Sequence, residues 1–372
     1  MRLWMYGCAD EKQPSETIGA SKLRKIGFEA LVGGKKCVEA ARENGLDAYA
    51  ACGAYRGPDF RDDSWLAQDV HGRRQRWFSS TCPTRKEVRA YNLSVVKEIA
   101  GWKGIKGVII DGARFASPSS GEIKDGIADP DAFFTCFCPA CMNKARKMGF
   151  DPVAMQKAAA GLYDYLHGMP VRIERHMEGL YEWMEFRRLS TTEHLLDFAK
   201  TVKSVNPDLK TGIFIFTPSL NKLVGQHYRD LAGAMDIFSP MIYRCYKEIS
   251  GPACLNVELA DLLAMLQGAK DLTDSDRIRV LSGLTGLVLS DGEDTASIRK
   301  GLDIEVLREE TSRSRVQTPG AVLAPIIEFD DPQLEEALNK TLEGGADAVN
   351  FFAYQDDILE AQAQLLQKAA FS

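Results

Sequence analysis

Residues 136–141 read C-F-C-P-A-C, which puts three thiols within six positions. In a C-x-C-x-x-C spacing, thiolates two and three apart can reach one tetrahedral ion at ~2.3 Å, with the turn carrying Pro139 between them. A closed site needs a fourth ligand. Cys82, in "SSTCPTRKEV", is the natural candidate, because it opens the helix that leads into the strand from which the cluster departs. Two plainer readings stand beside this one: free thiols packed as small apolar groups around a buried Cys82, and a disulfide. Four thiolates would close the coordination sphere, so the expected metal is a structural zinc rather than a catalytic one.

The second chemistry-bearing set is acidic. "IKGVIID" ends in Asp111, with Arg114 three residues on, and "AVLAPIIEF" carries Glu328, followed by Asp330 and Asp331. Asp10, Asp356 and Asp357 follow other apolar runs. Glycosidic bond cleavage uses two carboxyl groups, one to protonate the leaving oxygen and one to attack or to activate water. Asp111 and Glu328 are the expected pair. Which of them is the acid/base and which the nucleophile stays open. Arg114 would help to hold Asp111 ionised. The plainer readings are that an Asp before Gly is a turn or cap residue, that "EFDDPQLEE" is a helix start with acids complementing its dipole, and that Arg114 belongs to a rim ion pair.

A sugar site also needs flat apolar platforms and polar grips. Tyr6, Trp77, Tyr243 and Tyr354 are the aromatic residues best placed for this, and Arg114 is a polar one. The basic run "HGRRQRW" (71–77) is either a solvated loop or, through Arg73 and Arg74, a bidentate grip for a carboxylated or sulfated sugar.

These residues need a frame. Eight apolar or β-branched runs (2–7, 28–33, 46–52, 105–111, 209–216, 235–243, 321–329 and 347–354) alternate with helical patterns. The runs lack polar alternation, which suits strands buried on both faces of a parallel sheet. Helices are predicted over 83–102, with apolar positions 88, 91, 95, 96 and 99, over 180–205, with 186, 189, 196, 199 and 202 on one face, and over 332–345. Eight strand–helix units predict a single (β/α)8 barrel domain over 1–372, with long insertions after strands 3, 4 and 6 at about 54–82, 115–178 and 245–320.

Composition sets the outer limits. The chain has 372 residues, 45% hydrophobic and 26% charged, with a net charge of −6. This is a globular balance, and its acidity argues against nucleic acid as a partner. No window reaches the ~20 apolar residues of a membrane span. Nine cysteines in apolar stretches suit a reducing compartment, so the expected location is cytoplasmic for the chain as it stands, with a removed leader as the alternative. There is no G-x-G-x-x-G after a strand, no P-loop, no H-E-x-x-H and no G-x-S-x-G, and the five histidines are scattered.

"GVIIDGARF" (107–115), "CFCPACMNKARKMGFD" (136–151), "WMEFRRLSTTEHLLDFAKTVKSVNPDLKTGIFIF" (183–216) and "FSPMIY" (238–243) together resemble bacterial glycoside-hydrolase-like (β/α)8 barrels. The cysteine loop also resembles that of the glycoside hydrolase family 42 β-galactosidases, in which a fourth cysteine lies upstream, as Cys82 does here. That family carries Asn-Glu at the end of strand 4 where this chain has Asp111-Gly112, so its acid/base assignment does not transfer directly. The resemblance implies a carbohydrate-active hydrolase acting on an oligo- or polysaccharide, with a zinc-held loop beside the site and no organic cofactor; a homo-oligomer is compatible with it. The rivals are a non-catalytic glycan-binding barrel and a metal-dependent lyase or isomerase, the latter disfavoured by the sparse histidines.

Overall fold

Strands covered on both faces can be apolar throughout, and the eight runs close into one parallel barrel. The computed structural model describes residues 1–7, 16–57, 62–77, 80–124, 127–247, 253–290, 292–352 and 356–371. The strands are β1 (Arg2–Tyr6), β2 (Ala30–Gly33), β3 (Asp47–Gly53), β4 (Gly107–Asp111), β5 (Lys210–Phe216), β6 (Ile237–Met241), β7 in two short runs (Val322–Leu323 and Ile326–Glu328) and β8 (Ala348–Phe352). Each pairs in parallel with the next, β8 pairs with β1, and the ring is complete. This is the (β/α)8 architecture expected from the alternation of runs. The interruption of β7 falls at Ala324-Pro325, where proline has no N–H to give to the ladder.

Register brings chemistry to one end. Phe352 is level with both Tyr6 and Glu328, and Asp111 is level with Gly53. The C-terminal strand ends therefore gather Tyr6, Asp111, Glu328 and Phe352 at the same mouth, where βα loops collect.

Two predicted helices shift their buried faces. Lys86–Ala100 buries Val88, Val96 and Ile99 as expected, but Tyr91 is exposed. Met177–Val205 turns Trp183, Phe186, Arg187, Ser190, Thr191, His194, Leu195 and Phe198 inward. Phe186, Ala199 and Val202 are buried on the expected stripe, whereas Leu189 and Leu196 are only half-buried, and the buried face widens to take in Arg187 and His194, which lie outside that stripe.

The loops after β3 and β4 pack on each other. Asp69 pairs with Thr135 in an isolated bridge, and the Phe137 N–H donates to the Gln68 carbonyl at 2.8 Å. The Asp69 carboxylate accepts from the His71 and Arg73 amides at 2.9 Å and from Arg73 Nε at 2.8 Å. Arg73 Nη2 continues across to Asp131 at 2.7 Å. After β6 the chain makes helices Leu255–Leu266, Asp274–Thr285 and Thr295–Lys300 before Glu305–Gln317 returns it to the barrel wall.

The loops leaving β6 and β7 are joined by a two-pronged ion pair. Arg244 Nε and Nη2 donate to Asp331 Oδ2 and Oδ1 at 2.8 and 2.6 Å, with both residues buried. Removing one partner strands the other charge. Arg244→Met is expected to lower unfolding stability by about 3–5 kcal/mol, read from urea titration. A loss within experimental scatter would mean that water reaches Asp331 and screens it.

Candidate functional site

A cavity of about 320 Å³ opens at the C-terminal mouth of the barrel. Its wall carries Asp111 and Arg114 from β4 and the loop after it, and its aromatic lining comes from Tyr6, Phe214, Tyr243, Tyr246 and Phe352. These rings touch in series: Tyr6 lies 4.5 Å from Phe214 and 5.6 Å from Phe352, and Tyr243 lies 5.6 Å from Phe352 and 6.1 Å from Tyr246. The rest of the wall is largely apolar, with Met241 and Ile326 from β6 and β7. A small, ring-lined cleft with few polar groups is the usual form of a small-ligand site.

Asp111 is the carboxylate on this wall among the described residues. Burial raises its carboxyl above the ordinary carboxylate range, against the opposing pull of Arg114, the Gly112 amide, Tyr6 and Arg56. The Tyr6 hydroxyl donates to Asp111 Oδ2 at 3.4 Å, reaching from β1 to β4. Arg114 is itself buried, which draws its guanidinium down to about 10, opposed by Glu258 and Asp111. Its Nη1 donates to Ser120 Oγ at 2.9 Å and to the Phe115 carbonyl at 3.1 Å. Its guanidinium lies 4.7 Å from the Phe216 ring centroid and 5.1 Å from that of Trp77.

Glu328 sits behind the wall rather than on it. It is 4% exposed, and its Oε1 accepts from the Cys245 amide at 2.7 Å. Oε2 has no hydrogen-bond partner among the described residues. Burial is the main cause that lifts this carboxyl to about 7, with Asp331 adding to it. Tyr243 stands within electrostatic reach of both Asp111 and Glu328. A folded-state value above the unfolded one means that the protein holds this proton more tightly when folded. The associated stability is fully present below the unfolded value near 4.5 and is lost as pH rises through about 7. Glu328→Gln is expected to remove about 3 kcal/mol of this pH dependence between those limits. Parallel stability–pH curves for the two proteins would count against it.

The other predicted binding residues divide. Tyr6, Tyr243 and Arg114 line the cavity. Trp77 is 1% exposed and lies off the cavity wall. Its ring lies 5.1 Å from the Arg114 guanidinium and its backbone bridges to Gly121 on the cavity wall, so it supports the site without lining it. Arg73 is spent on Asp69 and Asp131, and Arg74 is exposed on the short ribbon Ala67–Gln68/Arg74–Gln75; neither lines the cavity. Tyr354 lies outside the described residues.

Sequence reasoning missed Glu258. It lies on Leu255–Leu266, a helix buried at every position from 255 to 263. Its carboxylate accepts from Ser117 Oγ at 2.5 Å, from the Ser119 amide at 3.2 Å and from the Ala253 amide at 2.9 Å. Ser119 and Ala253 are both on the cavity wall, so Glu258 fixes two of its loops at once. An acid in the apolar run "LNVELADLL" was the available signal, since an ionisable group does not stay buried without partners.

The four thiols meet. Cys82 Sγ lies 3.3 Å from Cys138 Sγ and 3.5 Å from Cys141 Sγ. One sulfur from each of Cys82, Cys136, Cys138 and Cys141 lies within 4.8 Å of the others, and all four residues are buried. These separations are far beyond a ~2.05 Å disulfide bond. They lie near the ~3.8 Å edge of a tetrahedron with ~2.3 Å metal–sulfur bonds. The Thr84 hydroxyl stands 3.0 Å from Cys141 Sγ, and the Gln68 amide donates to Cys136 Sγ at 3.4 Å. The donor set and spacing fit a tetrahedral metal centre with no open position. A second group, Cys245, Glu328 and Asp331, also clusters, but Arg244 already occupies both Asp331 oxygens.

No protein-family model and no curated protein sequence matches the chain. Solved structures do. A polyextremophilic β-galactosidase from the Antarctic haloarchaeon Halorubrum lacusprofundi aligns with TM-score 0.60 at 13% identity, over 100% of this chain and 58% of that one. A catalytic mutant of Gan42B, a GH42 β-galactosidase from G. stearothermophilus, aligns with TM-score 0.59 at 9% identity, over 99% and 56%. The β-galactosidase of the psychrophilic Marinomonas ef1 aligns with TM-score 0.57 at 11% identity, over 99% and 59%. The chain thus spans a little over half the length of these neighbours, and at such identities what it shares with them is the (β/α)8 barrel fold.

Proposed function

We propose that the chain is a carbohydrate-active hydrolase that cleaves an O-glycosidic bond in the cavity beside Asp111. The observation that carries this reading is Asp111 itself: a strand-end carboxyl, raised by burial, open to a ring-lined cavity and touched by a tyrosine hydroxyl. A raised carboxyl is suited to give a proton to a departing sugar oxygen and to take one back from water. Aromatic faces can hold the C–H faces of the sugar. Glu328, raised to about 7, is the second carboxyl of the pair, with Tyr243 of the cavity wall within its electrostatic reach. The activity named for the structural neighbours makes β-galactosides the first substrates to try.

A glycan-binding barrel without catalysis is the second reading, favoured by the position of Glu328 off the cavity wall. Hydrolysis of a panel of 4-nitrophenyl glycosides, with ligand binding followed by calorimetry, separates the two. Turnover by the wild type that falls in Asp111→Asn supports the hydrolase. Binding without turnover in the wild type supports the binder.

We infer further that the thiol cluster holds zinc through Cys82, Cys136, Cys138 and Cys141. With four sulfur ligands the ion offers no position to water or substrate, so its contribution would be to fasten the loops after β3 and β4.

A further inference from the structure

Arg187 is 0% exposed and lies within the long helix Met177–Val205. A guanidinium stays charged at any ordinary pH, so a buried one needs an anion. Among the described residues no carboxylate forms an ion pair or hydrogen bond with it. Its one hydrogen bond runs from Nη2 to the Ala116 carbonyl at 2.7 Å, and Nε and Nη1 have no partner among the described residues. The rings of Phe115, Phe133 and Trp183 surround it at 5.0, 5.2 and 4.9 Å. Aromatic faces soften the loss of water but do not neutralise a full charge.

Those same rings belong to the buried cluster that contains Cys82, Cys136, Cys138 and Cys141. Two ionisable neighbours stand within electrostatic reach of Arg187: Arg114, which repels it, and Cys136, which attracts it. Arg114 has Asp111 and Glu258 as its own anions. Near the thiols, Lys144 is already bound to Glu193, to which Arg89 also pairs at 3.2 Å. Four thiolates around a dication carry two net negative charges. That surplus would supply the anion Arg187 otherwise lacks.

We propose that Arg187 is the charge-balancing residue of the metal centre. The inference rests on the zinc reading above. The burial of an unpaired cation beside the expected apolar stripe and the gathering of four thiols then have one cause.

The test uses the full chain as purified. Zinc per chain is measured by plasma mass spectrometry, and zinc affinity by competition with a chromophoric chelator, for wild type, Arg187→Met, Arg187→Lys and Cys138→Ser. Arg187→Met is expected to weaken zinc binding by about 10–100-fold, the usual cost of removing a group that supports metal ligands from outside. Arg187→Lys, which keeps the charge, is expected to stay within a few-fold of wild type. Should the methionine variant not fold, Arg187→Gln takes its place with the same readings. Wild-type affinity in the neutral variant, with Cys138→Ser impaired, overturns the role of Arg187 while leaving the zinc site standing. An equal loss in Arg187→Lys and Arg187→Met overturns it too, since shape and not charge would then be responsible. A wild-type chain that binds neither zinc nor cadmium sinks the metal reading itself.

Discussion

Asparagine in place of Asp111 is expected to lower kcat/KM on an unactivated disaccharide by about 10²–10⁴-fold, the range for a lost general acid–base group. The side chains are nearly isosteric, so Tyr6 can still donate to the remaining oxygen and the cavity keeps its shape. Burial already disfavours the charged form of Asp111, so the neutral amide should leave the melting temperature unchanged or raise it slightly. The loss should depend on the leaving group. A 4-nitrophenolate departs without protonation, so the deficit on a nitrophenyl glycoside should be smaller than on the disaccharide if Asp111 is the acid. Equal deficits on both would assign it to nucleophilic attack instead, and full turnover by the variant would end the catalytic reading of this residue.

Stripping the thiol centre of metal should produce the second large effect. An ion that binds only the folded chain adds about 4 kcal/mol at a thousandfold excess over its Kd. For a chain of this length that corresponds to a melting shift on the order of 5 °C, because each kcal/mol moves a larger protein by fewer degrees. Chelator-treated protein should melt lower by that amount in calorimetry, and stoichiometric zinc should restore it. Protease cleavage should concentrate in the loops that the cluster joins, around Gln68–Thr84 and Ala132–Cys141. Cys82→Ala should reproduce the chelator effect and abolish the response to zinc. Identical melting with and without chelator would show that the loops hold through their direct contacts, those of Asp69, Arg73 and Asp131 among them, without a metal.

Most of the barrel was written in local patterns. All eight apolar runs became strands in their predicted order, because a parallel barrel hides both faces of each strand and so marks it by hydrophobicity without alternation. The insertions after strands 3, 4 and 6 fell where predicted for the same reason: the length between successive runs exceeded what one helix needs. The C-x-C-x-x-C spacing likewise marked three thiols for one centre, and Cys82 joined them from the segment just before helix Lys86–Ala100, which leads into β4, from whose mouth the cysteine loop returns.

Side-chain direction and long-range charge were not in the pattern. Arg73 and Arg74 looked like a free basic grip, but Asp69 and Asp131, the latter 58 positions from Arg73, commit Arg73 to joining two loops. Trp77 looked like a sugar platform, but the packing of the β3 and β4 loops places it off the cavity beside Arg114. Glu328 ends its strand as expected, yet only the loop after β6, through the Cys245 amide, turns it behind the cavity wall. Glu258 and Arg187 are buried ionisable residues inside helices, and what makes them matter lies more than 100 positions away for Glu258 and 71 for Arg187's bond to Ala116. Sequence fixes secondary structure where neighbours along the chain share one environment; the tertiary fold decides the charges, because a buried charge is settled by whichever partner arrives from elsewhere in the chain.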